Sequence, residues 1–144
     1  MNRSVVQFMF LLCMTTLWGC AVQPLEQRIQ GTWRDTSQGW IMVFDLQADP
    51  PTITAMEERE EGGTSGDSLS IEHMQFQEDT NRAFLRSEVL CAHFVCIQLF
   101  YDLQMRGTGS TSVMHLMVHD EDYDKVQELT LERMPDDAIL RSDD

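Results

Sequence analysis

Past residue 20 the sequence has no long apolar run, and nowhere does it carry a sustained helical period, so neither a helical bundle nor an alternating α/β domain is expected. Basic residues are scarce. Ten Lys and Arg stand against 24 Asp and Glu, a formal charge of −14 that repels nucleic acid and anionic lipid surfaces, and neither is expected as a partner. Local catalytic signatures such as G-x-S-x-G or H-E-x-x-H are missing, and no internal repeat is visible. The sequence therefore points away from an enzyme and calls for no cofactor. What it does contain is a short apolar leader, a series of period-two segments and an acidic surface.

The leader comes first. Arg3 supplies a positive start, Val5 to Leu17 an uncharged apolar stretch thinned only by Gln7, Thr15 and Thr16, and Gly19 a small residue at a cut site. At about 13 residues the stretch is too short for a hydrocarbon core that needs roughly 20, which excludes it as a permanent span. Leu17-Trp18-Gly19-Cys20 resembles the lipobox of bacterial lipoproteins over the first 20 residues, with Trp18 where the family has a small or β-branched residue. The resemblance implies cleavage before Cys20, a diacylglycerol on the Cys20 thiol and a further fatty acyl chain, such as palmitate, on the new amino group. Several chains together hold a protein on a bilayer almost permanently, because each buried methylene contributes about 0.8 kcal/mol. Ala21 and Val22 lack the aspartate that retains such lipoproteins at the inner membrane, so the expected location is the outer membrane, lipid-anchored, on its periplasmic face. The other reading is an ordinary secretory signal with an incidental cysteine.

The expected organisation is a signal over 1–19, a lipidated tether over 20–30, one compact domain over 31–135 and an acidic tail over 136–144. Removing the signal takes one base, Arg3, and no acid, which leaves the mature chain at −15. The tether is polar, carries Pro24, and its end, Leu25 to Gln30, suits one helical turn. Cys13 leaves with the signal, so Cys91 and Cys96 remain in an oxidising compartment, where a disulfide is expected across Ala92 to Val95. The best apolar register pairs Val89 with Leu99 and Leu85 with Leu103, which sends the two cysteines to opposite faces unless a bulge intervenes. Two unpaired buried thiols are the alternative.

Within the domain, Trp40, Met42, Phe44 and Leu46 share one strand face, and Asp49-Pro50-Pro51 stops that strand. Thr52 to Arg59 follows, then the charged Glu57 to Glu61 and the loop Gly62 to Gly66, then Leu69, Ile71 and His73 in alternation. The phase slips near Met74 and Phe76, as at a bulge. Ala83 to Cys91 reads as the next strand, Val95 to Met105 as the strongest, Val113 to His119 as one apolar on both faces, and Leu129 to Leu131 as the last. With Thr32-Trp33-Arg34 these make eight strand candidates joined mostly by short turns. The expected fold is all-β, a small up-and-down antiparallel barrel, since closure removes the exposed edges. A two-sheet sandwich is the alternative.

Gly31-Thr32-Trp33 resembles the G-x-W motif of lipocalins, and Leu129-Thr130-Leu131-Glu132-Arg133 resembles their last strand. The resemblance implies a lipocalin-like barrel with Trp33 at its closed end and Arg133 packed across the indole as structural residues. Trp33 also suits a lone core aromatic of any β domain. The body is short for that family, and its C-terminal helix is absent or reduced to a turn. In such a barrel Trp40, Met42, Phe44, Leu99, Tyr101 and Leu103 would face inward and bind a small apolar ligand, unless side chains fill the space.

Two other groupings are weaker. His115, Met117 and His119 share a strand face, with His73 and Met74 as further candidates, a donor set suited to copper, but methionine more often fills cores. Asp120, Asp122 and Asp124 match the first spacings of a calcium loop, yet Lys125 and Leu131 occupy its glycine and glutamate positions, so a solvated turn is expected and no metal site. Two functions compete: carriage of a small apolar molecule in the barrel, and an accessory role docking on an envelope protein complex through acidic segments such as Glu57 to Glu61 and Asp120 to Asp124.

Overall fold

The computed structural model describes residues 22–35, 37–57 and 66–135, so Cys20, the leader, most of Glu57 to Glu61 and the acidic tail lie outside the described residues. A single helical turn, α1 (Leu25–Ile29), precedes β1 (Gly31–Asp35), β2 (Trp40–Asp45), β3 (Thr52–Glu57), β4 (Gly66–Gln77), β5 (Arg82–Ser87), β6 (Leu90–Ala92), β7 (Val95–Ile97), β8 (Phe100–Arg106), β9 (Val113–His119) and β10 (Lys125–Arg133). Eight of these strands, all but β6 and β7, close into an antiparallel barrel in sequence order, with β10 returning to pair with β1. This is the expected lipocalin-like architecture. Among the described residues no helix is long and apolar enough to cross a membrane.

The period-two pattern does what it predicts. In β8 Tyr101, Leu103 and Met105 point inward and are buried, as are Met114, Leu116 and Val118 of β9, while Asp102, Gln104, His115 and Met117 between them stay partly exposed on the outer wall. Trp33, Phe44, Ile53, Leu85, Leu103, Leu116 and Leu131 lose essentially all contact with water and fill the lower barrel.

One end is closed by α1. Its Leu25 and Ile29 are fully buried in the core, and the Leu25 amide donates to both carboxylate oxygens of Glu78 at 2.8 and 3.1 Å. Arg28 Nη1 reaches Asn81 Oδ1 at 2.7 Å, so the turn between β4 and β5 holds the helix from below. Trp33 Nε1 donates to the Ile29 carbonyl at 2.8 Å. The Arg133 guanidinium lies 4.5 Å over the Trp33 ring and donates to the carbonyls of Gln30, at 3.0 Å, and Arg28. Gly31 adopts φ +118°, and a Cβ there would come within 3.0 Å of Arg133 Nη1, so the glycine of the G-x-W motif makes room for the arginine that covers its tryptophan.

The phase slip is a register shift in the β4/β5 pairing between Ile71 and His73, close to where the sequence places it. The hairpin register differs from the expected one. Leu85 pairs with Tyr101 and Ala83 with Leu103, not Leu85 with Leu103, and beyond them Leu90 pairs with Ile97 and Cys91 with Cys96. The two long strands expected over Ala83 to Cys91 and Val95 to Met105 each break at the barrel rim, where residues 87–89 on one side face 98–99 on the other. That extra residue supplies the irregularity that the cysteines require, and Ser87 fixes it: its hydroxyl accepts from the Leu99 amide at 3.0 Å and donates to the Glu88 carbonyl at 2.8 Å. Beyond the break β6 and β7 form a separate two-stranded arm closed by the Cys91–Cys96 disulfide.

Because the arm pairs with no barrel strand, replacing both cysteines by serine should change the barrel's unfolding free energy by less than about 0.5 kcal/mol. Amide exchange over Leu90 to Ile97 should meanwhile accelerate at least tenfold. A loss of several kcal/mol in the double variant would show that arm and barrel unfold together.

Candidate functional site

The end opposite α1 is open, and the interior there is not filled. A cavity of about 510 Å³ opens at this mouth, within the range of small-molecule sites. Its floor and walls are the upper inward-facing residues of the barrel, Trp40 and Met42 of β2, Ala55 of β3, Tyr101 of β8, Val118 of β9 and Leu129 of β10, with Leu99 just before β8. Leu90 and Ile97 reach it from the disulfide arm, so the arm stands as one side of the entrance. Asp67, Ser68 and Gln127 at the rim are the polar groups.

Of the six residues expected to face an apolar ligand, Trp40, Met42, Leu99 and Tyr101 line the cavity. Phe44 and Leu103 lie deeper, fully buried in the packed lower core. The interior is thus both filled and open: packed around Trp33 below, hollow above Tyr101. Burial pushes the Tyr101 phenol up to about 12, so it stays neutral at ordinary pH. Leu90, Ile97, Val118, Leu129 and Ala55 are lining residues that the strand pattern alone did not single out. What joins them is level along the barrel axis, which is legible only once the register is known.

The rim is apolar on its outside as well. Val89 in the break at the rim and Phe94, Val95 and Ile97 of the arm, with Tyr123 and Val126 near the turn between β9 and β10, are the large hydrophobic side chains left exposed there, and Phe94 at the tip of the arm is fully exposed.

In the other two groupings His115 and Asp120 are engaged with neighbouring residues. His115, Met117 and His119 do share the outer face of β9, but His115 Nε2 sits 2.8 Å from Glu128 Oε1, and no cluster of three His, Cys, Asp or Glu suited to a metal occurs among the described residues. Glu128 also accepts from Lys125 Nζ at 2.6 Å, and hydrogen bonds from Lys125 and His115 hold its carboxyl below the usual range. In the acidic turn the Asp120 carboxylate accepts from the amides of Asp122, at 3.0 Å, and Asp124, at 2.9 Å, which knits the loop internally.

No model of a known protein family, no curated protein and no solved structure matches the chain. The mouth is a concave, mostly apolar space with a few polar groups at its lip, the form that small-molecule sites take.

Proposed function

We propose that the protein is a lipoprotein, anchored by acyl chains on Cys20 to the periplasmic face of the outer membrane, that carries a small apolar molecule in the mouth of its barrel. The observation that carries the reading is the 510 Å³ cavity, walled by Trp40, Met42, Leu99, Val118 and Leu129 above a core already packed without it. Burying a ligand against such walls contributes about 25 cal/mol per Å² of apolar surface, enough for useful affinity with few hydrogen bonds. The lipobox resemblance supports the anchor, and the closed end of the barrel is where the tether arrives: five residues from Cys20 to Leu25 span at most about 18 Å. The mouth on this reading faces away from the anchoring bilayer.

Native mass spectrometry of the protein purified from its own envelope should find a bound small molecule, and intact mass of the mature chain should show acylated Cys20. Ala55→Phe, which grows a ring into the cavity, should lower the bound fraction at least tenfold, the equivalent of about 1.4 kcal/mol, while the barrel stays folded. Protein that carries no ligand from its envelope and takes up none of the envelope's apolar extract would overturn carriage; a bare Cys20 thiol would overturn the anchor.

The exposed apolar rim favours a second reading, an accessory protein that docks mouth-first on an envelope complex. Crosslinking in cells should then return a reproducible partner that is lost when Phe94 is replaced by Ser or when Glu121 and Asp122 are reversed in charge.

A further inference from the structure

The outer wall of the barrel carries a concavity of about 350 Å³ that is separate from the mouth, although Tyr101 borders both. The strand register explains its contents. His73 of β4 pairs with Arg86 of β5, Arg86 with Phe100 of β8, and Phe100 with His119 of β9, so four side chains form a single row across the outside of four strands. Phe84 lies one step along β5 from that row, on the same face.

Tyr123 completes the enclosure. The Asp120 carboxylate, accepting the amides of Asp122 and Asp124, folds the turn so that Tyr123 takes φ +61° and lays its ring against the row, 5.4 Å from the Phe100 centroid and 5.5 Å from that of His119. A bulky residue in the left-handed region is held there at a cost in free energy, and such positions concentrate at functional sites. Below it, His119 Nδ1 is buried and makes no hydrogen bond among the described residues. Native structures seldom leave such an atom unpaired without a reason.

The charges are sorted. Asp102 is neutralised by Arg82 at 2.7 Å, and Arg82 in turn lies 5.1 Å over the Phe84 ring and holds it in place. Arg86 has a carboxylate, Glu72, only at 4.0 Å, the outer limit of an ion pair, and both side chains are well exposed. In a chain with so few bases, this wall brings three aromatic rings, a weakly engaged guanidinium and two imidazoles to one place. Rings offer stacking surface, and a guanidinium offers a forked donor for a carboxylate.

We propose that this concavity is a second binding site, for a planar aromatic molecule bearing a single negative group, with its ring among Phe84, Phe100 and Tyr123 and its acid on Arg86. The site depends on neither the anchor nor the mouth cavity. Its test is calorimetric titration of the purified full chain in aqueous buffer with 2-naphthoate and with the neutral 2-naphthalenemethanol, against buffer alone. Naphthoate should bind saturably and about tenfold more tightly than the alcohol. Arg86→Gln should remove that preference, and Tyr123→Gly, whose glycine suits the local φ, should weaken both probes at least fivefold with the circular dichroism unchanged. Ala55→Phe, which blocks the mouth, should leave naphthoate binding as it was. Naphthoate binding that vanishes in Ala55→Phe but survives Arg86→Gln and Tyr123→Gly would assign the probe to the mouth and overturn the second site. Equal affinity for acid and alcohol, or no heat beyond that of dilution into buffer, would overturn it as well.

Discussion

Trp33→Ala should cost about 3–5 kcal/mol of unfolding free energy, the usual penalty for removing a large aromatic from a filled core, and so a large fraction of what a domain of this size possesses. Trp33 is fully buried and serves three partners at once. Its ring packs in the lower barrel, its Nε1 donates to the Ile29 carbonyl, and its face carries the Arg133 guanidinium. Removing it frees α1 from below and Arg133 from one side, so the loss should exceed that of Leu116→Ala in the same core. Arg133→Met provides the complement. It keeps a stem of similar length but strips hydrogen bonds from the carbonyls of Gln30 and Arg28, which should cost about 1–3 kcal/mol. Urea titration checks both, with an unchanged denaturant slope as the sign that the folded state is otherwise intact. A Trp33→Ala variant within 1 kcal/mol of the parent would mean that the closed end contributes little to holding the barrel together.

The closed end was legible in the sequence because its residues are near the two ends of the domain and of unusual type. A glycine two before a tryptophan, and an arginine at the end of a terminal apolar strand, point at each other across a hundred residues, and the structure adds why Gly31 has no side chain. The strand pattern was legible for the same kind of reason: alternation survives wherever one face is buried, as in β2, β8 and β9. Even the β4 irregularity shows as a slip in phase at Met74.

Register at the mouth was not legible. Val89, Val95 and Ile97 continue the apolar alternation of β5 and β8, so the sequence reads as two long strands, yet all three side chains are exposed, Val89 in the break at the rim and the other two on an arm that belongs to no barrel sheet. Hydrophobic alternation reports a wish for burial and cannot say whether the partner is the core, a ligand or another molecule. The outer-wall site was hidden differently. His73, Arg86, Phe100 and His119 are spread over 47 positions of sequence and become a row only through three cross-strand pairings. Tyr123, among aspartates, looks like turn filler until the Asp120 hydrogen bonds swing it back over the wall.

Asp35→Ala should destabilise the protein by about 2–3 kcal/mol at neutral pH, although Asp35 lies at the end of β1 and away from the packed core, because hydrogen bonds to a charged acceptor are worth more than ordinary ones. The side chain is buried, and one carboxylate oxygen accepts from the Ser37 amide at 2.7 Å, the Ser37 hydroxyl at 2.7 Å and the Gln38 amide at 2.9 Å. Burial by itself raises the carboxyl's pKa. The hydrogen bonds from the Ser37 side chain, the Gln38 and Ser37 amides and the Thr130 backbone outweigh it and leave the group below its ordinary 3.8. A folded-state value below the unfolded one places the stabilisation above about pH 3.8, and it is lost as pH falls through the depressed folded value. The parent and Asp35→Asn, which keeps an acceptor of the same shape but no charge, should therefore differ most at neutral pH and converge in strong acid. The turn carrying these bonds joins β1 to β2 at the mouth, just before Trp40, so loosening it should also blur the cavity wall and weaken uptake of an apolar ligand. Parallel unfolding curves for parent and Asp35→Asn, separated by the same amount from pH 7 down to pH 2, would show that the charge of Asp35 plays no part.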